Sequence, residues 1–524
     1  MTAWVAPRHA GLTRRDTTIA VAVLALAVGL WALRWRGVDY PAHIYRVDLV
    51  RRHGLALWNA NWYGGHHTPG YGLVFPWIAS ITGLAVPAIA STVGSVLLFS
   101  RLMRRAAMPH VATGTCAFAF LMLVNLYEGR LPFALGVLFG LLAVTFASSR
   151  RWALAVIATL IATLSSPLAG AFAALAFATW ALVQPRTRLR DVLRKPGTFL
   201  AAVAITPIVV FAEWFPQGGW FPYRGGELLL ALAAGALVWW LLPPPLAAVR
   251  WGFTLAAVVA VPLYFVPNPM GGNLSRLAVI GAPILFCAPR TRPLLHVAVG
   301  LTLVFWQAKP LMYLPERVED PSSKAEYHQP LIDAVESLAD GPVRIEIPFT
   351  DAHWEAAYVA AELPLARGWE RQLDHRYNQV LYDVDLDHTA YREWLVDNGV
   401  SYVAVPDVEL ERSAEREAAL AADAPYLRLV WQNANWKLYE VLGSPGLLTG
   451  PGTLLELNGD IVRVSVEKPG LFTLRVRYSS HLTVLDERGC VAETAAGWTI
   501  VRAYQPGLLE LTTSLDGAGD ATCK

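Results

Sequence analysis

The sequence predicts a polytopic all-α membrane bundle of about eleven spans, followed by an extracytoplasmic α/β domain and a small β-sandwich-like domain. Three observations predict it. Apolar runs long enough to cross a hydrocarbon core about 30 Å thick recur through the first three hundred residues. Arg-rich short loops alternate with turns poor in basic residues. Beyond residue 309 the composition becomes that of a soluble chain. The whole chain is 55% hydrophobic and only 16% charged, against about 25% charge in soluble domains, and the first part carries the deficit. The expected domains are therefore residues 1–308, 309–445 and 446–524. A net charge of +2 gives no basic field, which argues against a nucleic-acid partner.

The first span is expected at 17–35, after Arg14 and Arg15. It has the look of a signal peptide, but no small-x-small cleavage site follows it, and Arg34 and Arg36 come next, so an uncleaved span is expected. The apolar stretch 71–100 is too long for one straight crossing, with Pro76 and Pro87 as breaks. Arg101, Arg104 and Arg105 then mark a cytoplasmic end. The third and fourth spans flank Tyr127-Glu128-Gly129-Arg130, and the fifth and sixth meet at Ser165-Ser166-Pro167. The loop 184–197, with Arg186, Arg188, Arg190, Arg194 and Lys195, is the strongest inside signal. Three further spans lead through Trp214, Arg250 and the turn Pro267-Asn268-Pro269-Met270-Gly271-Gly272-Asn273. The tenth falls to Arg290 and Arg292, and the eleventh, 294–307, exits outward. All the basic short loops then share one side, which makes the amino terminus cytoplasmic and the tail extracytoplasmic in a plasma-membrane protein.

In the tail, helices are expected at 326–339, 351–361, 388–397 and 414–422. The third ends on the stop signal Asn398-Gly399. Strands are expected at 343–348 and 401–405, and 427–432 should pair with 436–441 around Asn433-Ala434-Asn435. From about residue 450 only short alternating runs occur, at 461–466, 471–478 and 482–485, which predicts a β-sandwich or a curled sheet. Of four Cys, Cys116 and Cys287 fall in apolar runs, while Cys490 and Cys523 share the outer β-rich tail and are candidates for a disulfide. No C-x-x-C or H-E-x-x-H spacing occurs, and the adjacent His66 and His67 have no spaced partner. A Walker loop, a dinucleotide glycine fingerprint and a G-x-S-x-G elbow are also absent from the sequence. No cofactor is therefore expected, and a divalent metal stays open without a motif to support it.

The loop after the first span is the most unusual segment: Gly37-Val38-Asp39-Tyr40-Pro41-Ala42-His43-Ile44-Tyr45-Arg46. Pro41 suits a first helical turn and Asp39 an N-cap. Helical spacing then places Asp39, His43, Arg46 and Val50 along one stripe. A carboxylate at an outer membrane surface can accept a proton from a sugar hydroxyl as it attacks. Alternatively, Asp39 is only a cap and His43 and Arg46 are surface groups. The loop continues through Trp58, Asn59, Trp62 and Tyr63, rings and amides that suit a saccharide or an interfacial aromatic belt. Glu128 with Arg130, Arg224, and Asn273 with Arg276 stand at other outer turns. An ionisable group near the membrane plane is by default a site candidate. Turn amides with Arg276 suit a phosphate, or Arg130 and Arg276 snorkel to headgroups. In the tail, Arg367, Trp369 and Arg371 lie in a run dense in charge and Trp, either a ligand loop or a salt-bridge cluster.

This order of parts resembles the GT-C class of polytopic glycosyltransferases: a first span, a long outer loop with an acidic residue near its start, many further spans and an outer C-terminal domain. Asp39 in Gly37-Val38-Asp39-Tyr40 matches the acidic position, and the 58–65 run is similar to the loop's later part. The resemblance covers residues 17–310. It implies sugar transfer from a polyprenyl-phosphate donor to a cell-envelope glycan or lipid acceptor on the outer face. Asp39 would be the base, with His43 beside it, and Arg276 with Arg130 would hold the lipid phosphate. The class often has a second acidic residue beside the first; here the next one is Asp48. The tail resembles membrane proteins of high-GC bacteria, which implies no reaction. A second class stays open, a non-catalytic envelope scaffold or transporter whose outer domain binds a partner. Few charges fall inside the spans, which disfavours transport.

Overall fold

The computed structural model describes residues 13–183, 189–515 and 523. Arg186 and Arg188 of the expected inside loop lie outside the described residues. The chain forms two compact units, one of Met1–Tyr40 with Gly70–Val318, the other of Pro41–Pro69 with Glu319–Lys524.

The first unit is helical. Among the described residues seven helices are long and apolar enough to cross a membrane: Arg14–Ala32, Ala85–Arg105, Val111–Glu128, Leu131–Ser148, Pro196–Trp214, Pro244–Phe265 and Pro293–Glu319. Four shorter apolar helices join them, Trp152–Ser165, Pro167–Leu182, Gly225–Leu241 and Gly271–Cys287. The protein is a multi-pass membrane protein. The long stretch after Tyr71 divides into Val74–Thr82 and Ala85–Arg105, and glycine rather than proline ends the first piece. Gly83 takes φ 77°, the left-handed stop that only glycine adopts cheaply. Pro76 and Pro87 instead sit in first turns, where no N–H is needed. Ser166 caps Pro167–Leu182, accepting from the Ala169 N–H at 3.4 Å. Arg104, expected as a loop charge, pairs with buried Asp16 of Arg14–Ala32 at 2.7 Å, and Ser100 donates to the same carboxylate. Two helices are thereby fixed side by side through a fully satisfied polar group.

The second unit holds an α/β layer and a sandwich. Its α/β sheet runs in the order Arg344–Glu346, Val400–Pro406, Trp436–Val441, Leu427–Gln432. The first pair is parallel and the others antiparallel. A parallel pair needs a long crossover, here the chain between residues 346 and 400. The helix expected at 388–397 is present as His388–Asp397, capped by Asp387 accepting from the Ala390 N–H. The helix expected at 351–361 shrinks to Glu355–Tyr358, because His353 takes φ 56° and interrupts the helical run. An unforeseen helix, Arg371–Tyr377, follows.

Two four-stranded antiparallel sheets form the sandwich. Ile461–Val466 alternates, with Val462, Val464 and Val466 inward, and Gly470–Arg477 turns Phe472, Leu474 and Val476 inward. Cys490 and Cys523 are joined as a disulfide.

Segment 41–69 packs as part of this unit. It is a helix (Tyr40–His53) and a two-stranded ribbon, Trp58–Asn59 against His66–His67. Gly65 permits the tight return: a Cβ there would lie 2.2 Å from the Trp58 ring.

Candidate functional site

Asp39 stands where the loop after the first helix meets the end of Val111–Glu128. Two backbone bonds fix it there: the Gly37 N–H donates to the Tyr127 carbonyl (2.7 Å) and the Asp39 N–H to the Glu128 carbonyl (3.0 Å). The Tyr40 hydroxyl adds a bond to the Leu126 carbonyl at 2.8 Å. Two glycines make room. A Cβ on Gly37 would lie 2.7 Å from the Glu128 Cα, and one on Gly129, at φ 90°, 2.6 Å from the Tyr40 nitrogen. Close backbone approach of this kind admits no side chain.

Five charged side chains converge at this point. Arg276 Nη2 donates to Asp39 Oδ2 at 3.5 Å, and Arg130 Nε lies 3.9 Å from the same oxygen. Arg130 Nη2 is 4.0 Å from Glu128 Oε1, and Arg317 Nη1 donates to Glu128 Oε2 at 3.2 Å. Each carboxylate is nearly buried, while the Arg130, Arg276 and Arg317 side chains keep 16%, 17% and 11% of their surface open. Three guanidiniums against two carboxylates leave one positive charge in excess, on the more open groups. Both guanidiniums beside Asp39 address Oδ2; Oδ1 makes no hydrogen bond among the described residues. The arrangement can hold an anion on the guanidiniums while presenting a fixed carboxylate oxygen to a hydroxyl.

Arg276 owes its place to the 3-10 turn Gly271–Leu277. Gly271 takes φ 40°, and a Cβ there would meet the Phe221 carbonyl at 2.0 Å. Gln307 Nε2 braces the turn by donating to the Ser275 carbonyl at 3.0 Å. Asn273 sits in the same turn, half-buried.

Asp39 was expected to cap the helix that follows; its carboxylate makes no capping bond and turns to Arg276 and Arg130 instead. His43 is buried on that helix. Arg46, expected on the same stripe, is ion-paired with Glu370, both side chains interior. Trp58, Asn59, Trp62 and Tyr63 do not form an open sugar platform. Trp58 belongs to the sandwich core. Trp62 is fully buried, stacks on Tyr45 at 4.5 Å and donates through Nε1 to the Ala356 carbonyl. The Tyr63 hydroxyl donates to the Glu370 carbonyl, and Asn59 Oδ1 accepts from the Tyr45 hydroxyl. The physical reason is shared chemistry. Rings with polar tips and amides pack into a core as well as they serve a sugar, although Trp58 Nε1 and Asn59 Nδ2 have no hydrogen-bond partner among the described residues. His66 lies in the same interior, and burial pushes its pKa down to about 3.

The charged run of the tail is also interior. Arg367 is buried over the Phe349 ring at 3.5 Å, makes a bidentate pair with Asp374 (2.6 and 3.1 Å) and pairs with Glu417. Arg371 pairs with Glu411, which also meets His353 at 2.8 Å. Trp369 is half-buried against the same core. Burial raises Glu417 to about 8 and Glu346 well above the usual carboxylate range. Burial acts upward on Asp374 too, but the Arg367 fork more than offsets it and holds the carboxyl low.

Arg317 was missed by sequence reasoning. Its signal was a guanidinium near the end of the last apolar stretch, in the helical segment Leu314–Glu319. Among the described residues no group of three or more His, Cys, Asp or Glu is placed to share a metal ion.

No protein-family model matches the chain, and no curated protein does. Among solved structures it is similar to the arabinofuranosyltransferase AftD from Mycobacteria, at 13% identity and a TM-score of 0.46 over 98% of this chain and 58% of that one. ArnT from Cupriavidus metallidurans is similar at 13% identity and a TM-score of 0.42, over 81% of this chain and 98% of that one. The Archaeoglobus fulgidus oligosaccharyltransferase follows at 12% identity and 0.37, over 75% and 69%. The chain thus spans less than two thirds of the AftD chain.

Proposed function

We propose that this protein is a membrane glycosyltransferase of the GT-C kind, moving a sugar from a polyprenyl-phosphate donor to a cell-envelope glycan or lipid acceptor at the outer face. The observation that carries the reading is Asp39 held beside Arg130 and Arg276 in a cluster with excess positive charge, at one end of the apolar helices. In the reaction the acceptor oxygen attacks the anomeric carbon while the bond from that carbon to the phosphate oxygen breaks. The phosphate leaves with the electron pair, and Arg276 and Arg130 stabilise its growing charge. The acceptor proton passes to Asp39 Oδ1. Attack opposite the leaving phosphate inverts the anomeric centre. Glu128, tied to Arg130 and Arg317, is the second carboxylate of the site and keeps the guanidiniums aimed.

The test is sugar transfer by the purified protein in lipid, offered polyprenyl-phosphate sugars with and without divalent ions. Asp39→Asn keeps the side chain's size and removes the proton acceptor, so turnover should fall by roughly a hundredfold or more. Arg276→Ala should instead weaken donor binding, by loss of a charge-assisted hydrogen bond. Wild-type turnover by Asp39→Asn would eliminate the assignment. The reading also requires eleven crossings, with a cytoplasmic amino terminus and residues beyond Lys309 outside. A reporter fused after Lys324 should be active only outside the cytoplasm; activity only inside would overturn the topology.

A further inference from the structure

At the end of the helices opposite the Asp39 cluster, two hairpin turns meet. Helix Gly225–Leu241 ends in Trp239 and Trp240, and the helix that begins at Ala247 carries Arg250 and Trp251. Beside them runs the turn from Cys287 to Pro293, with Arg290 and Arg292. The Thr291 hydroxyl donates to the Leu241 carbonyl at 3.0 Å and ties the two turns together. The Arg292 guanidinium lies 3.2 Å from the centroid of the Trp240 ring, and that of Arg250 lies 4.2 Å from Trp239. Trp251 meets Trp239 edge-on at 5.1 Å. The rings are not core residues: Trp240 is 55% exposed and Trp251 41%.

The charge at this end is uncompensated. The sequence contains no Asp or Glu between Glu227 and Glu316, and Glu227 lies in the first turn of its helix, at the far end from Trp239, so these helices bring no carboxylate to this end. None of Arg250, Arg290 and Arg292 has an ion-pair partner among the described residues. Stacking on a ring holds a guanidinium flat and leaves its edge N–H groups free for an acceptor. Exposed Trp at the end of an apolar helix lies at headgroup depth. Guanidiniums held over exposed rings at that depth are complementary to the phosphate of a lipid.

We infer that the Trp239/Trp240/Arg250/Arg292 turn pair is a binding site for the headgroup of an anionic phospholipid, in the leaflet that surrounds this end of the helices. The stacked guanidiniums take the phosphate, and the exposed indoles pack on the glycerol and upper acyl carbons. The site is separate from the Asp39 cluster, and its occupancy does not depend on the reaction proposed there.

Native mass spectrometry of the full chain, released from phosphatidylcholine nanodiscs into which phosphatidylglycerol is titrated, reads the site directly. The wild type should retain phosphatidylglycerol in preference to phosphatidylcholine. A direct charge-assisted hydrogen bond to the phosphate contributes about tenfold or more in affinity, so Arg250→Gln with Arg292→Gln should weaken retention by roughly a hundredfold. Arg101→Gln with Arg105→Gln removes the same charge without touching the Trp pairs and should cost no more than the general surface attraction, at most about fivefold per charge. Should the first double variant fail to fold, Arg250→Lys with Arg292→Lys keeps the charge, loses the stacked fork and should weaken retention by a smaller factor. Equal losses in the two charge-removing doubles would reduce the effect to surface electrostatics and overturn the site. Equal retention of phosphatidylcholine, or displacement of the lipid by inorganic phosphate, would overturn it as well.

Discussion

Arg367→Met should loosen the α/β part of the second unit by about 3–5 kcal/mol at neutral pH, the cost of breaking a buried ion pair from one side. Arg367 is buried among Asp374, reached through two bonds of 2.6 and 3.1 Å, and Glu417. Methionine fills most of the volume but strands the Asp374 carboxylate, while Glu417, raised by burial to about 8, is already largely protonated at neutral pH. Asp374 keeps only Asn378 Nδ2 at 2.8 Å and the Tyr382 hydroxyl. Stranded carboxylates recover by taking up protons, at about 1.4 kcal/mol per unit between ambient pH and the new pKa. The loss should therefore shrink as pH falls from 8 towards 5. Amide hydrogen exchange over Arg371–Tyr377 and Val400–Pro406 in the full chain reads the local opening, which a global melting curve of a two-unit protein would blur. Unchanged protection would refute Arg367 as an internal brace and reopen it as a ligand group. An equal loss at pH 5 and pH 8 would refute the ionic origin of the effect.

The wild-type second unit should lose stability with rising pH, because burial raises Glu417 to about 8 and Glu346 well above its ordinary range. A carboxyl whose folded pKa exceeds its unfolded value contributes fully below about 4.5 and loses that contribution as pH climbs to the folded pKa; Glu346→Gln should flatten the slope of thermal stability between pH 5 and 8. Gly129→Ala should cost about 1–3 kcal/mol through a left-handed backbone angle and a clash with the Tyr40 nitrogen. It should also lower turnover by displacing Asp39, so full activity with wild-type thermal stability would refute the packing argument.

The fold was legible where a local rule acts alone. Apolar runs marked the helices of the first unit, and Asn398-Gly399 ended His388–Asp397 as its glycine stop requires. Strict alternation marked Ile461–Val466. Legibility failed where one residue type answers to two environments. Trp62 and Asn59 have the composition of a sugar site, and only their partners, Ala356 and Tyr45, show them to be core. Arg46 and Glu370 are 324 positions apart, and no periodicity links a helix to a loop at that distance. The expected helix at 351–361 failed on one backbone angle, the positive φ of His353, which non-glycine residues seldom take even where His is enriched there.

The Asp39 cluster was half legible for a related reason. Asp39, Glu128, Arg130 and Arg276 each stand out singly, as charges beside apolar runs. No local spacing pairs Asp39 with a second carboxylate; the next one along the chain is Asp48, whose partner is Arg52 at 2.8 Å. The second carboxylate arrives through backbone geometry. Gly37 and Gly129 let the loop press against the end of Val111–Glu128, and the ladder from Gly37 and Asp39 to Tyr127 and Glu128 sets the register. A one-residue slip there would turn Asp39 away from Arg276. The two glycines therefore belong to the site as much as the charges do: they fix where the carboxylate points, while Arg130, Arg276 and Arg317 decide what it faces.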